Sequence, residues 1–237
     1  MRKMLLALCL LLAATAANAG SIQSVNSVGD TFTINFNGIV DYGNPSTATV
    51  MPGLTATGQF TIMSWSYSAA TNKTTVSFDI VIDNTSNASI WQSAVVTAIG
   101  FDTDPNALSG TSTGVFTDFV TGGSFPTGAR FNVEYCASGN KNNCNGPGNT
   151  PLNVNDPNGT ATVTMKFAGN ISNLDFSNFG IRWQALDSAS LRIAGGSGIG
   201  VETNPPVTPP IPEPAAMAVF GLGALIVGAA LRKRARQ

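Results

Sequence analysis

The chain contains no histidine at all. That absence excludes Ser-His-Asp and Cys-His catalysis and any metal site built on imidazole. Charge is scarce as well: Asp, Glu, Lys and Arg make up 11% of the residues, against about a quarter in typical soluble domains. The few cations sit at the extremities. Of 12 basic residues, Arg2 and Lys3 precede the first apolar run, and Arg232, Lys233, Arg234 and Arg236 follow the last one. All 13 acidic residues lie between these ends, so the body is acidic and has no basic stripe with which to hold nucleic acid. Cysteine is limited to three residues, and outside the two ends no long segment shows a helical hydrophobic period. Polarity comes instead from Thr, Ser, Asn and Gly, which suits β-strands and their turns.

The two ends carry the clearest signals. Met1, Arg2 and Lys3 form a positive start, residues 5–14 an apolar run too short to span a bilayer comfortably, and Ala17-Asn18-Ala19 a small-residue cleavage site. This predicts a signal peptide over 1–19, cut by signal peptidase between Ala19 and Gly20. Cys9 leaves with it. At the other end, residues 202–210 form a proline-rich linker, and Ile211-Pro212-Glu213-Pro214 follows. Such a run favours extended polyproline II and acts as a semi-rigid spacer. Residues 215–231 are 17 uncharged, mostly apolar positions, which as a helix would reach about 25 Å. That is enough for a single transmembrane helix if the flanking cations snorkel. The basic cluster Arg232, Lys233, Arg234 and Arg236 over 232–237 then predicts a cytoplasmic tip and an exported body.

The order Pro212-Glu213-Pro214, apolar span, arginine-rich end resembles the PEP-CTERM protein-sorting signal over residues 211–237. The usual valine ahead of the motif is replaced by Ile211. The resemblance implies that an exosortase, a membrane-embedded transpeptidase-like enzyme, recognises Pro212, Glu213 and Pro214. It implies a precursor held transiently in the inner membrane with its body in the periplasm, then delivery to the cell surface or beyond. Bearers of the signal come from Gram-negative bacteria that make exopolysaccharide and form biofilms, so exopolysaccharide is the implied neighbour.

Residues 20–201 are expected to form one all-β ectodomain. Period-two alternation marks 31–36, 74–83 and 160–168, and further candidate strands cover 55–67, 95–101, 115–120, 130–135 and 180–186. Asn37-Gly38, Asn44-Pro45 and Asp156-Pro157-Asn158-Gly159 separate them. Eight or so short strands of this kind predict an antiparallel β-sandwich, jelly-roll-like. Pro52-Gly53-Leu54-Thr55-Ala56-Thr57-Gly58, Val76-Ser77-Phe78-Asp79-Ile80, Gly100-Phe101-Asp102-Thr103-Asp104-Pro105 and Ser177-Asn178-Phe179-Gly180 are similar to segments of the cistern family of PEP-CTERM proteins.

Little in the body announces chemistry. Cys136 and Cys144, eight positions apart, read as one local disulfide closing a polar loop in an oxidising compartment. A metal pair is the rival, and it has no histidine or third cysteine to complete it. Asp102 and Asp104 place oxygens at alternate positions and are weak calcium candidates, against an Asx-type turn. No other cofactor is expected. Asn72, Asn84, Asn87, Asn158 and Asn170 head Asn-x-Ser/Thr triplets, the acceptor pattern for glycans. Trp65, Trp91 and Trp183 fit either sugar-stacking platforms or core packing. The expectation is a non-enzymatic surface or matrix protein associated with exopolysaccharide. Two other classes stay open: a lectin-like carbohydrate-binding module, and a hydrolase using two facing carboxylates such as Glu134 and an aspartate.

Overall fold

The alternating segments become strands because each has one apolar edge to bury. In β4 (Lys73–Asp83) Val76, Phe78, Ile80 and Ile82 are fully buried, while Thr75, Ser77, Asp79 and Val81 between them stay half-exposed. β4 follows the 20-residue β3 (Thr49–Ser68) through a short turn ending at Asn72. Asn72 has φ 49°, a left-handed conformation that asparagine tolerates better than branched residues. The computed structural model describes residues 21–40, 49–125, 131–139, 144 and 152–203. The chain partitions between Asn204 and Pro205, and every described strand lies on the N-terminal side.

The other strands are β1 (Gln23–Val25), β2 (Thr31–Val40), β5 (Ser93–Asp104), β6 (Ala107–Gly114), β7 (Asp118–Phe125), β8 (Phe131–Ser138), β9 (Gly159–Ala168), β10 (Leu174–Ser188) and β11 (Ile193–Glu202). All pairings among them are antiparallel. They form one sheet in the order β6-β9-β4-β3-β2-β11-β10-β5-β8-β7, with β1 added beside β10. The two ends of this path, β6 and β7, are consecutive in the chain and lie against each other, so the sheet nearly closes into a barrel. Phe119 of β7 packs so closely on Gly110 of β6 that a side chain there would run into its ring. The structure is thus all-β and antiparallel, as expected. Its hydrogen bonding follows a single path and does not establish the two separate sheets of a jelly-roll-like sandwich.

The core fills the space the sheet encloses. Phe60 of β3 stacks on Phe32 of β2 with centroids 4.7 Å apart and meets Phe101 of β5 edge-on at 6.0 Å. Phe78, Phe176 and Phe179 complete the aromatic centre. A second, smaller cluster joins Ala98, Phe125, Val133, Cys136, Cys144 and Ile199. It explains why β5 is buried almost continuously from Ala94 to Thr103, with only Val95 and Asp102 partly open. One face of β5 meets the main core and the other meets this second cluster.

One expected strand shifts and three strands are new. The expected strand at 115–120 is a corner at 115–117 followed by β7, because Val115 donates its N–H to Thr160 O and Ser112 Oγ donates to Phe116 O. β1, β6 and β11 were not foreseen. The last two consist largely of Gly, Ser, Thr and Ala, and their partners supply the hydrophobicity.

Candidate functional site

Cys136 and Cys144 form the disulfide, with Cα atoms 6.1 Å apart, inside the usual span for such a bond. Both are fully buried. Cys136 is held by β8, between Gly100 of β5 and Val120 of β7. Gly123 of β7 faces the bridge, and a Cβ there would collide with Cys144 Sγ. Arg182 of β10 lies on the same side of the sheet, in register with Ala98 and Ile199. Its Nη1 donates to Cys144 O over 3.1 Å. Burial pushes the guanidinium down to about 10, which still leaves it charged at neutral pH. The bridge therefore pins a backbone carbonyl over a buried cation.

The calcium candidates divide. Asp102 accepts from the Glu134 N–H at 2.7 Å and from the Asn178 amide at 2.8 Å, one bond to each carboxylate oxygen. Glu134 in turn accepts from the Thr103 N–H and the Asn106 amide, both at 3.2 Å. Asn178, with φ 53° at the irregular register of β10, also donates to Asn132 O at 2.8 Å. These bonds tie β5, β8 and β10 together at one end. Asp102 thus does receive a backbone N–H, but from the neighbouring strand and not from its own turn. Asp104 stands exposed opposite Asp175. Among the described residues, no group of three or more Cys, Asp or Glu stands close enough to hold a metal ion.

The tryptophans divide too. Trp91 and Trp183 are fully buried, and Trp91 Nε1 donates to Pro52 O at 3.1 Å. Trp65 packs half-buried against the core, its Nε1 donating to Ile171 O at 3.2 Å. Sugar stacking on Trp91 or Trp183 would require the core to open. Of the five glycan-acceptor asparagines, Asn84 is buried and its amide donates to Ala94 O at 2.6 Å and Leu152 O at 2.9 Å. The folded chain therefore holds that nitrogen inside. Asn72, Asn87, Asn158 and Asn170 are exposed.

Sequence reasoning missed Arg182, Asn178 and Asn84 as organising residues. An arginine within a strand as apolar as 180–186 was the available signal, since such a cation must find buried acceptors. The cleavage site Ala19–Gly20, the motif Pro212, Glu213 and Pro214, the apolar span 215–231 and the cluster Arg232, Lys233, Arg234 and Arg236 lie outside the described residues. Among the described residues no helix is long and apolar enough to cross a membrane.

Residues 210–235 match the PEP-CTERM protein-sorting motif. The match covers the tail alone and leaves the relationship of the body to the cistern family unsupported. It implies an exported, membrane-anchored precursor processed by an exosortase. No curated protein and no solved structure matches the chain.

Proposed function

We propose that this chain is a non-enzymatic envelope protein that leaves the inner membrane through exosortase processing and works beside exopolysaccharide at or beyond the cell surface. The match of residues 210–235 to the sorting motif carries the reading. In it, Ala19–Gly20 is the signal-peptidase site, 215–231 the temporary transmembrane helix, and Pro212, Glu213 and Pro214 the recognition motif.

Two features of the body support the non-enzymatic part. The absence of histidine removes the commonest general base. The carboxylates Asp102 and Glu134, which a hydrolase would need free, accept hydrogen bonds that join strands. The disulfide suits an oxidising compartment.

Mass spectrometry of the protein recovered from the cell surface, with and without the sorting enzyme, tests the reading. The expected mature form begins at Gly20 and ends near Pro214 only when the enzyme is present. Recovery of a surface form ending at Gln237 in both strains would overturn it.

A further inference from the structure

The five Asn-x-Ser/Thr triplets share one pattern, and the fold sorts them. A glycan on asparagine needs an exposed side-chain nitrogen, a hydroxyl two residues on, and a backbone that a transferase can engage. Asn84 fails the first condition, since its nitrogen is buried against Ala94 O and Leu152 O. Asn72 fails the second. Thr74 is fully buried, its hydroxyl donates to Gly169 O at 2.7 Å, and the same oxygen accepts the Ile171 N–H at 3.1 Å. The other two exposed triplets are tied to the sheet. In Asn170-Ile171-Ser172, Ile171 donates its N–H to Thr74 Oγ1 and accepts from Trp65 Nε1. Asn158-Gly159-Thr160 runs into β9, where buried Gly159 pairs with Ile82 and Thr160 pairs with Val81.

Asn87-Ala88-Ser89 differs from all of these. Its three residues are exposed and lie between β4 and β5, outside any strand. The Ser89 N–H donates to Asn87 Oδ1 at 2.8 Å, which closes an Asx-turn. The base of this turn is fixed. The Asn87 N–H donates to Gly53 O at 2.8 Å, and Asn87 O accepts from the Ile90 and Trp91 N–H groups at 2.9 and 2.8 Å. Gly53, with φ 65°, leaves room for the Asn87 side chain, since a Cβ added there would stand 2.9 Å from Asn87 Cβ. Backbone and side-chain oxygen are thus both held, while Asn87 Nδ2 and Ser89 Oγ bond to no other described residue.

That arrangement suits an acceptor. An amide nitrogen is a poor nucleophile because its lone pair is shared with the carbonyl. A hydrogen bond donated to Oδ1 stabilises charge on that oxygen and so makes an Nδ2 proton easier to remove. The turn supplies this bond and leaves the nitrogen open to solvent.

We propose that Asn87 is a glycan attachment site, taking its sugar from a polyprenyl-pyrophosphate donor bound to a transferase outside the inner membrane. The bond between Asn87 Nδ2 and the sugar C1 forms as the C1–O bond to the pyrophosphate breaks. The electron pair leaves with the pyrophosphate, and the proton from Nδ2 passes to a base of the transferase. Ser89 Oγ is the hydroxyl that the transferase reads beside the nitrogen. Asn87 is exposed in the folded chain, so the transfer does not require the sheet to open. The inference rests on the reading that the body is exported.

The test is peptide mapping by mass spectrometry of the full chain, produced in its native cells and recovered from the envelope. The peptide containing Asn87 should carry a sugar mass, and Asn87→Gln should lose it. Ser89→Ala keeps the backbone bond to Oδ1 and removes only the hydroxyl, and it should lose the mass too. Ser89→Thr should retain it, as should Asn158→Gln and Asn170→Gln. Near-UV circular dichroism of Ser89→Ala should match the parent, which separates loss of sugar from loss of fold. A parent chain that begins at Gly20 and carries no sugar at Asn87 overturns the inference and leaves the export reading intact. A chain that keeps Met1 overturns the export reading and the inference with it. A Ser89→Ala chain modified as fully as the parent, or sugar found at Asn158 or Asn170 in place of Asn87, also overturns the inference.

Discussion

Buried and exposed polar residues answer to different physics in this protein. Asn84 is buried and fully engaged: its amide feeds two carbonyls and its oxygen accepts from the Ser86 N–H at 3.3 Å. Asn84→Ala would remove the amide donor from the Ala94 carbonyl and leave the Leu152 carbonyl with the Val96 N–H alone. The expected loss is about 2–3 kcal/mol in urea unfolding, with no change in glycan content. Asp30 is partly exposed and organises the turn after β1. Bonds from the Asn26 N–H, the Ser27 hydroxyl and the Ser27 N–H hold its carboxyl below the ordinary value of 3.8. A carboxylate whose pKa is lowered by folding adds stability above its unfolded pKa, and that stability fades as pH falls through the folded pKa. Asp30→Ala should therefore lower Tm at neutral pH, and the gap from the parent should narrow in scans run progressively below pH 3.8. A gap that stayed constant with pH would show that the carboxylate's charge contributes nothing. Asn84 and Asp30 look alike in sequence, as small polar residues near turns, and only burial separates them.

At the scale of elements, β11 shows why some strands escape a reading based on hydrophobic pattern. Its sequence IAGGSGIGVE offers little apolar periodicity, yet it joins β2 to β10 and so connects the two halves of the sheet. The glycines are there for clearance. Gly200 lies beneath Trp183 and Ile181 of β10, where an added Cβ would sit 2.5 Å from Ile181 Cγ2. Gly200→Val improves the strand propensity of the segment but overpacks this contact, so it should destabilise the protein by about 1–3 kcal/mol. A Tm at or above that of the parent would mean that propensity outweighs clearance at this position. The strands that were legible in advance, at 31–36, 55–67, 74–83, 95–101, 130–135, 160–168 and 180–186, are those that carry their own buried side chains. β6 and β11 take their burial from neighbours, which no local window can register. The corner at 115–117 was misread for a related reason: Val115 is apolar, but its N–H bonds to Thr160 O beyond the end of β6.

For the whole molecule, the described strands and the sorting segment fall on opposite sides of the division between Asn204 and Pro205. Strand pairing ends at Glu202, and the last bond to the sheet is made by Thr203. A chain truncated after Pro209 should therefore keep the Tm and the intact Cys136–Cys144 bridge of the parent body, yet be recovered from the periplasm or medium and not from the cell surface. Loss of cooperative unfolding in that truncation would show that the sheet depends on the tail. The bridge closes a loop of only eight positions in sequence, so reducing it should cost on the order of 2–3 kcal/mol in the mature protein. Freeing Cys144 should also loosen the carbonyl that Arg182 holds.

Export, sorting and β class were readable from the chain alone, because hydrophobic length, terminal charge and short motifs act locally and survive in a linear string. The pairing of Cys136 with Cys144 was readable for the same reason: short spacing left it one partner. The order of strands, the closure of β6 toward β7, the burial of Arg182 and Trp183 and the meeting of Ser21 with Glu202 depend on residues far apart in sequence. Those contacts form only when the sheet closes, and each is set by which neighbour removes it from water. The tertiary structure alone decided them.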